Sequence, residues 1–132
     1  MTPDQPAIQT LRVRRDFLAV AKGDKQVRGG LILQARKRGS KVNAELDPVS
    51  DDDTAIRFGL TATRRIGSAV IRNRTRRRLR VLAHEILSTH GQPGFDYVLI
   101  GRAATKQRTW DGLRTDLRSA LQKLHKTGNK EE

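Results

Sequence analysis

Hydrophobic positions along the chain fall into two periods. From Thr54 to Thr63 they alternate, with Ile56, Phe58, Leu60 and Ala62 on one face and Arg57, Gly59, Thr61 and Thr63 on the other. That period of two predicts a half-buried strand with one polar face. Leu31–Arg36, after the breaker Gly29-Gly30, predicts another strand, with Leu31, Leu33 and Ala35 facing away from Ile32, Gln34 and Arg36. Tyr97–Ile100 is a third, short and strongly apolar. Elsewhere the period is helical. Val13, Phe17, Val20 and Ala21 predict a short helix over about Arg14–Lys22, closed by Gly23. Leu79, Leu82, Ala83, Ile86 and Leu87 predict a long helix over roughly Ser68–Thr89, stopped by Gly91-Gln92-Pro93-Gly94. Trp110, Leu113, Leu117, Ala120, Leu121 and Leu124 form a stripe on a last helix, with Thr109 as its N-cap and Asp111 in its first turn. The pattern is helix, strands, helix, strand, helix. It predicts an α+β fold in which helices pack on a small mixed sheet. At 132 residues the chain forms one domain. Residues 1–9 and 127–132 are expected to be loose tails, and 39–54 a solvated, acidic hairpin loop.

Charge then narrows the function. Lys and Arg number 27 against 14 Asp and Glu, a formal net charge of +13. An excess that large in a chain this short points to a polyanion, nucleic acid or an anionic membrane surface. There is no cysteine, so disulfides, thiolate catalysis and Cys-based metal sites are excluded. No apolar run approaches the roughly 20 residues of a membrane span. The first ten residues lack the charged and apolar regions of a secretory signal, so the expected location is cytoplasmic. Five of the acids (Glu45, Asp47, Asp51, Asp52 and Asp53) sit in the 39–54 stretch, which leaves the remainder more basic than the total suggests. Adjacent carboxylates on a loop converge poorly on a cation, and no metal site is expected there or at His84, His90 and His125. Trp110, on its apolar stripe, is expected in the core. Nothing suggests a Ser/His/Asp or paired-carboxylate catalytic arrangement, and no catalytic residue is assigned.

The concentrated feature is Arg64–Arg80, RRIGSAVIRNRTRRRLR. Counted from Arg57, nine arginines (57, 64, 65, 72, 74, 76, 77, 78 and 80) occur without one acid. With about 100° per residue and Leu79 at zero, Leu82, Ala83 and Ile86 lie within about 60° of it. Asn73, Arg74, Arg77, Arg78 and Arg80 fall to the sides or opposite. The helix therefore has an apolar C-terminal half and a basic N-terminal half. Arg72 projects onto the apolar line, so either the first turns overhang the core or Arg72 lines a boundary groove. Guanidinium is planar, permanently charged and bidentate toward phosphate. Such a density of like charge is tolerable where phosphates neutralise it. Signatures of helix-turn-helix, zinc-finger and zipper DNA binders are missing, as is the aromatic strand of an RNA-recognition motif. Charge alone favours RNA without deciding it.

The spacing within the segment adds more. Two basic residues (Arg64-Arg65), Ile66-Gly67, Ala69-Val70, Arg72-Asn73-Arg74 and the following basic cluster with Arg80 resemble the signature of the bacterial ribonuclease P protein component. The resemblance extends over about residues 10–126. Asp16-Phe17 is similar to the family's first helix, Thr54–Thr63 to the strand leading into the signature, and Asp96–Ile100 with Arg102 to the strand after it. It implies an α+β fold like domain 2 of ribosomal protein S5. The implied order is α-β-β-β-α-β-α, with a left-handed βαβ crossover opposite to the usual hand. It implies a non-catalytic protein subunit that assists a catalytic RNA in removing the 5′ leader of precursor tRNA. That hydrolysis uses magnesium held through the RNA, with no cofactor bound by the protein alone. The implied partners are the catalytic RNA and precursor tRNA, with neither membrane nor DNA.

By the same resemblance Arg72, Asn73, Arg74, Arg76, Arg77 and Arg80 contact RNA, and Arg64, Arg65, Gly67 and Ser68 form the entry to that helix. Phe17, Ile32, Gln34 and Thr61 match a cleft between the first helix and the sheet that receives the single-stranded leader. Spacing alone would make Phe17 a core residue. Three departures stand out: Ser68 replaces the usual Asn, and Ala21 and Gln34 replace frequent aromatics. Leader bases stack on aromatics for roughly 1–3 kcal/mol each, so the cleft here relies more on Phe17 and arginine. The rival readings are a structural RNA-binding protein of ribosomal type and an Arg-rich DNA-compacting protein.

Overall fold

Two of the strands follow the predicted phases, a third lies where the apolar run predicted it, and the sheet they build is larger than periodicity alone suggested. The computed structural model describes residues 8–38 and 55–129. The elements are β1 (Ile8–Thr10), α1 (Arg14–Ala21), β2 (Asp24–Val27), β3 (Leu31–Lys37), β4 (Ile56–Thr61), a 3₁₀ turn at Arg64–Ile66, α2 (Ala69–His90), β5 (Phe95–Gly101) and α3 (Trp110–Asn129). One five-stranded mixed sheet runs in the order β1-β4-β5-β3-β2. β1 and β5 flank β4 in parallel. β3 runs antiparallel to β5, and β2 antiparallel to β3.

Strand alternation splits the core in two. Leu31, Leu33, Ala35, Ile56, Phe58, Tyr97 and Leu99 face one side and meet Leu79, Leu82, Ala83, Ile86 and Leu87 of α2 and Leu113, Leu117, Ala120, Leu121 and Leu124 of α3. A smaller cluster on the other face joins Leu11, Val20 and Val98 to the half-buried Phe17 and Ile100. α1 lies there alone.

Four expectations are corrected. Residues 8 and 9 are not a loose lead-in, because Ile8, Gln9 and Thr10 pair with Ile56, Arg57 and Phe58. A three-residue edge strand has no periodicity of its own to read. The element order therefore begins with a strand ahead of α1. At the other end α3 continues to Asn129, two residues past the Thr127 where a loose tail was expected. The acidic loop expected at residues 39–54 lies outside the described residues, but the strands on either side of it are not hairpin partners, because β5 stands between β3 and β4. The fourth is Trp110, which sits half-buried at the rim of the core instead of within it.

β2 also escaped the periodicity, since Asp24, Lys25 and Val27 are exposed along an edge.

Candidate nucleic-acid interface

The basic helix is entered through a backbone feature that only glycine accepts readily. Gly67 has φ +148°, where an added Cβ would meet Ile71 at 2.9 Å. Ser68 then caps α2, its Oγ accepting from the Ile71 N–H at 3.4 Å. The first turns overhang the sheet, with Ala69 and Val70 exposed. Thr75, not Arg72, takes the buried position, packed on the backbone of Gly101. Arg72 is half-buried and turns back, Nη1 donating to the Gly67 carbonyl at 3.0 Å. Of the two arrangements open for Arg72, the overhang is therefore the one observed.

The structure separates arginines that brace the fold from those that face outward. Arg78 donates to the carbonyls of Thr105 and Arg108 and lies 5.7 Å from the Trp110 ring centre. Arg114 covers the same ring at 5.6 Å and pairs with Glu85 and Asp111. Its guanidinium holds the Glu85 carboxyl below the usual range. Arg57 grips Asp96 with two hydrogen bonds, Nε to Oδ1 at 2.8 Å and Nη2 to Oδ2 at 2.6 Å. Arg38 adds 2.7 Å and Arg36 3.4 Å to the same fully buried carboxylate. Asp16 approaches Arg57 at 3.8 Å, and Asp116 binds Arg108 at 2.9 Å. So Asp16, Glu85, Asp96, Asp111 and Asp116 are each paired with arginine away from the N-terminal half of α2. Arg64, Arg65, Arg74, Arg77 and Arg80 are exposed, as are Ser68 and Asn73. Arg76 is half-buried, reaching Asn73 Oδ1 at 3.1 Å and the Ala62 carbonyl at 3.4 Å. Of the ten predicted residues of the entry and helix, seven are thus exposed and Gly67, Arg72 and Arg76 are half-buried.

The second predicted group lies on the other face of the sheet, under α1. Register sets Thr61, Ile100 and Ile32 in one cross-strand row, and Gly59, Val98 and Gln34 in the next. The Phe17 ring rests on Gly59, so close that a Cβ there would sit 2.5 Å from Cε2 and Cζ. Thr61, Ile32, Gln34 and Phe17 are all half-buried on this face, beside α1. Gly59 had been placed on the face of Thr61 but not as the seat of Phe17, and Val98 and Ile100 were missed, because β5 reads as uniformly apolar and shows no preferred face. Also missed was the role of Asp96 in gathering three arginines at the end of this face. Only the register, Arg57 and Arg36 each opposite Asp96, discloses it.

Tyr97 is fully buried, and burial raises its hydroxyl above the ordinary value. That oxygen accepts from the Gln92 N–H at 2.9 Å and meets His125 Nε2 at 2.8 Å. Desolvation lowers the His125 imidazole. His125 is thus part of the packing. Among the described residues no three His, Asp or Glu side chains stand together as metal ligands, and no helix is long and apolar enough to cross a membrane.

A three-helix, mixed-sheet scaffold with an outward arginine face on one helix and a half-buried aromatic and polar face under α1 defines a small α+β protein suited to bind nucleic acid. Comparison with known proteins places it further. The family model described as Ribonuclease P matches residues 6–125. The ribonuclease P protein component of Ruegeria pomeroyi is 45% identical over 119 residues, covering 89% of this chain and 87% of that one. That of Caulobacter vibrioides is 41% identical, covering 90% and 72%. The RNase P protein of Thermotoga maritima superposes with a TM-score of 0.61 at 26% identity, covering 86% of this chain and 95% of that one. The Staphylococcus aureus protein shares the fold, with a TM-score of 0.63. The chain belongs to the ribonuclease P protein component family.

Proposed function

We propose that this chain is the protein subunit of ribonuclease P and divides its two surfaces between two RNAs. The arginine face of α2 holds the catalytic RNA. The cleft under α1 receives the single-stranded 5′ leader of precursor tRNA. Phosphodiester hydrolysis belongs to the RNA, and this chain supplies affinity and orientation. The observation that carries this is the sorting of charge. The five acids of the helices and central strands are matched to arginines elsewhere, leaving Arg64, Arg65, Arg74, Arg77 and Arg80 outward on one acid-free surface. Arg–phosphate contacts in such an array act together and are salt-dependent. The cleft suits a single strand because it offers an aromatic edge, an amide and a hydroxyl.

In this reading magnesium is held through the RNA, with no cofactor bound by the protein alone. The left-handed β4–α2–β5 crossover, the likeness to ribosomal protein S5 domain 2 and a cytoplasmic location belong to the same reading. The test is reconstitution. Adding the protein to catalytic RNA at low magnesium is expected to raise the rate of precursor tRNA cleavage or the affinity for it. No change in either overturns the proposal.

A further inference from the structure

The segment joining β5 to α3 carries a feature that borders the arginine face at Arg74. A cavity of about 270 Å³ opens between it and the first turns of α2, lined by Ile71, Arg74, Arg78, Lys106 and Gln107. Three of those five are cations and none is an acid. We propose that this slot holds one unpaired nucleotide of the catalytic RNA. The inference rests on the reading of α2 as the catalytic-RNA surface and extends it to a specific kind of contact.

Size, rigidity and chemistry each argue for this. The volume lies just under the roughly 300–1,000 Å³ of a small-molecule site, room for one nucleotide and too little for a duplex. The far wall is held in place from several directions. Arg78 binds the Thr105 and Arg108 carbonyls, and its guanidinium is committed there. Thr105 Oγ1 accepts from the Arg102 N–H at 2.8 Å and donates to the Gly30 carbonyl at 2.6 Å. Arg108 pairs with Asp116 at 2.9 Å, and Asp116 in turn accepts from the Gly30 N–H at 2.9 Å. Lys106 and Gln107 are therefore presented exposed on a braced segment, which lowers the ordering cost of binding. Arg74 and Lys106 face the slot from opposite walls and can neutralise the phosphates flanking an inserted residue. Gln107 offers an amide donor and acceptor to a base edge, and Ile71 an apolar surface to a base face. A paired base hides those edges, whereas splayed single-stranded bases present them. The catalytic RNA is the favoured source because Arg74 belongs to the same helix face as Arg77.

The chain has no cysteine, so Gln107→Cys allows a single photo-crosslinker to be attached. In the reconstituted holoenzyme with precursor tRNA, the expected cross-link falls on an unpaired nucleotide of the catalytic RNA. A cross-link confined to paired stretches, one confined to precursor tRNA, or none beyond that from an exposed control at Lys123→Cys overturns the proposal. Affinity for the catalytic RNA supplies the second readout. Lys106→Ala is expected to weaken binding about tenfold and to flatten the salt dependence by about one counterion. Gln107→Ala is expected to weaken it with the salt slope unchanged. If Arg77→Ala weakens binding and these two do not, the slot fails and the α2 reading stands. If Arg77→Ala also has no effect, the underlying reading fails.

Discussion

Arg77 and Arg78 are neighbours in sequence with the same side chain and opposite duties. Arg77 is exposed, whereas Arg78 ties the 105–108 segment to α2 and stacks on Trp110. Arg77→Ala is expected to leave thermal stability within about 0.5 kcal/mol, to weaken catalytic-RNA binding and to lower the salt slope by about 0.7–0.9. Arg78→Ala is expected to destabilise by about 1–3 kcal/mol, because two carbonyls lose a charged donor. Thermal melts and binding isotherms at several salt concentrations measure both. Nothing in the string RTRRRLR distinguishes the two. Helical projection sets Arg77 near 160° and Arg78 near 100° from Leu79, and only the packing of the loop beyond β5 gives the latter a partner.

At the scale of elements, the informative contact is α1 on the sheet. Phe17 fits because position 59 has no side chain; alanine would bring Cβ within 2.5 Å of the ring. Gly59→Ala is expected to cost about 1–3 kcal/mol by overpacking and to weaken binding of the leader more than of the catalytic RNA. The double variant Gly59→Ala/Phe17→Ala is expected to be no less stable than Phe17→Ala alone, because the clash goes with the ring. Denaturant melts of the four proteins check this cycle. The helices and β3, β4 and β5 were legible from period and breakers, down to the cap at Thr109, whereas the capping role of Ser68 came only with the structure. β1 and β2 were not legible from period, since one is three residues long and the other polar along an exposed edge. Both exist because a neighbouring strand offers them a ladder.

At the scale of the molecule, pH acts through the buried end of β5. His125 meets the Tyr97 hydroxyl and packs edge-on against Phe95 at 4.8 Å, and burial lowers its pKa below the unperturbed value near 6.5. Where the folded pKa is the lower one, the unfolded chain takes up a proton first as pH falls. Stability is therefore full above about pH 6.5 and declines below it, until the folded-state imidazole also protonates. Urea midpoints measured from pH 7.5 to 5 are expected to fall, and His125→Gln is expected to flatten that part of the profile. A slope unchanged in the variant would assign the effect to other groups.

The chain by itself determined the α+β class, the faces of β3 and β4, the apolar and basic halves of α2 and, through the spacing of Arg64–Arg80, the family. Those properties are local, because periodicity, caps and motif spacing are written within a dozen or so residues. Tertiary structure alone decided which arginines are available. Asp96 lies 39 residues from Arg57 and 58 from Arg38, yet it gathers both. The 105–108 segment claims Arg78 from 27 residues away. A net charge of +13 says that a polyanion is wanted. Long-range pairing, which ties some cations to acids and carbonyls and leaves others facing out, sets which part of the surface stays basic.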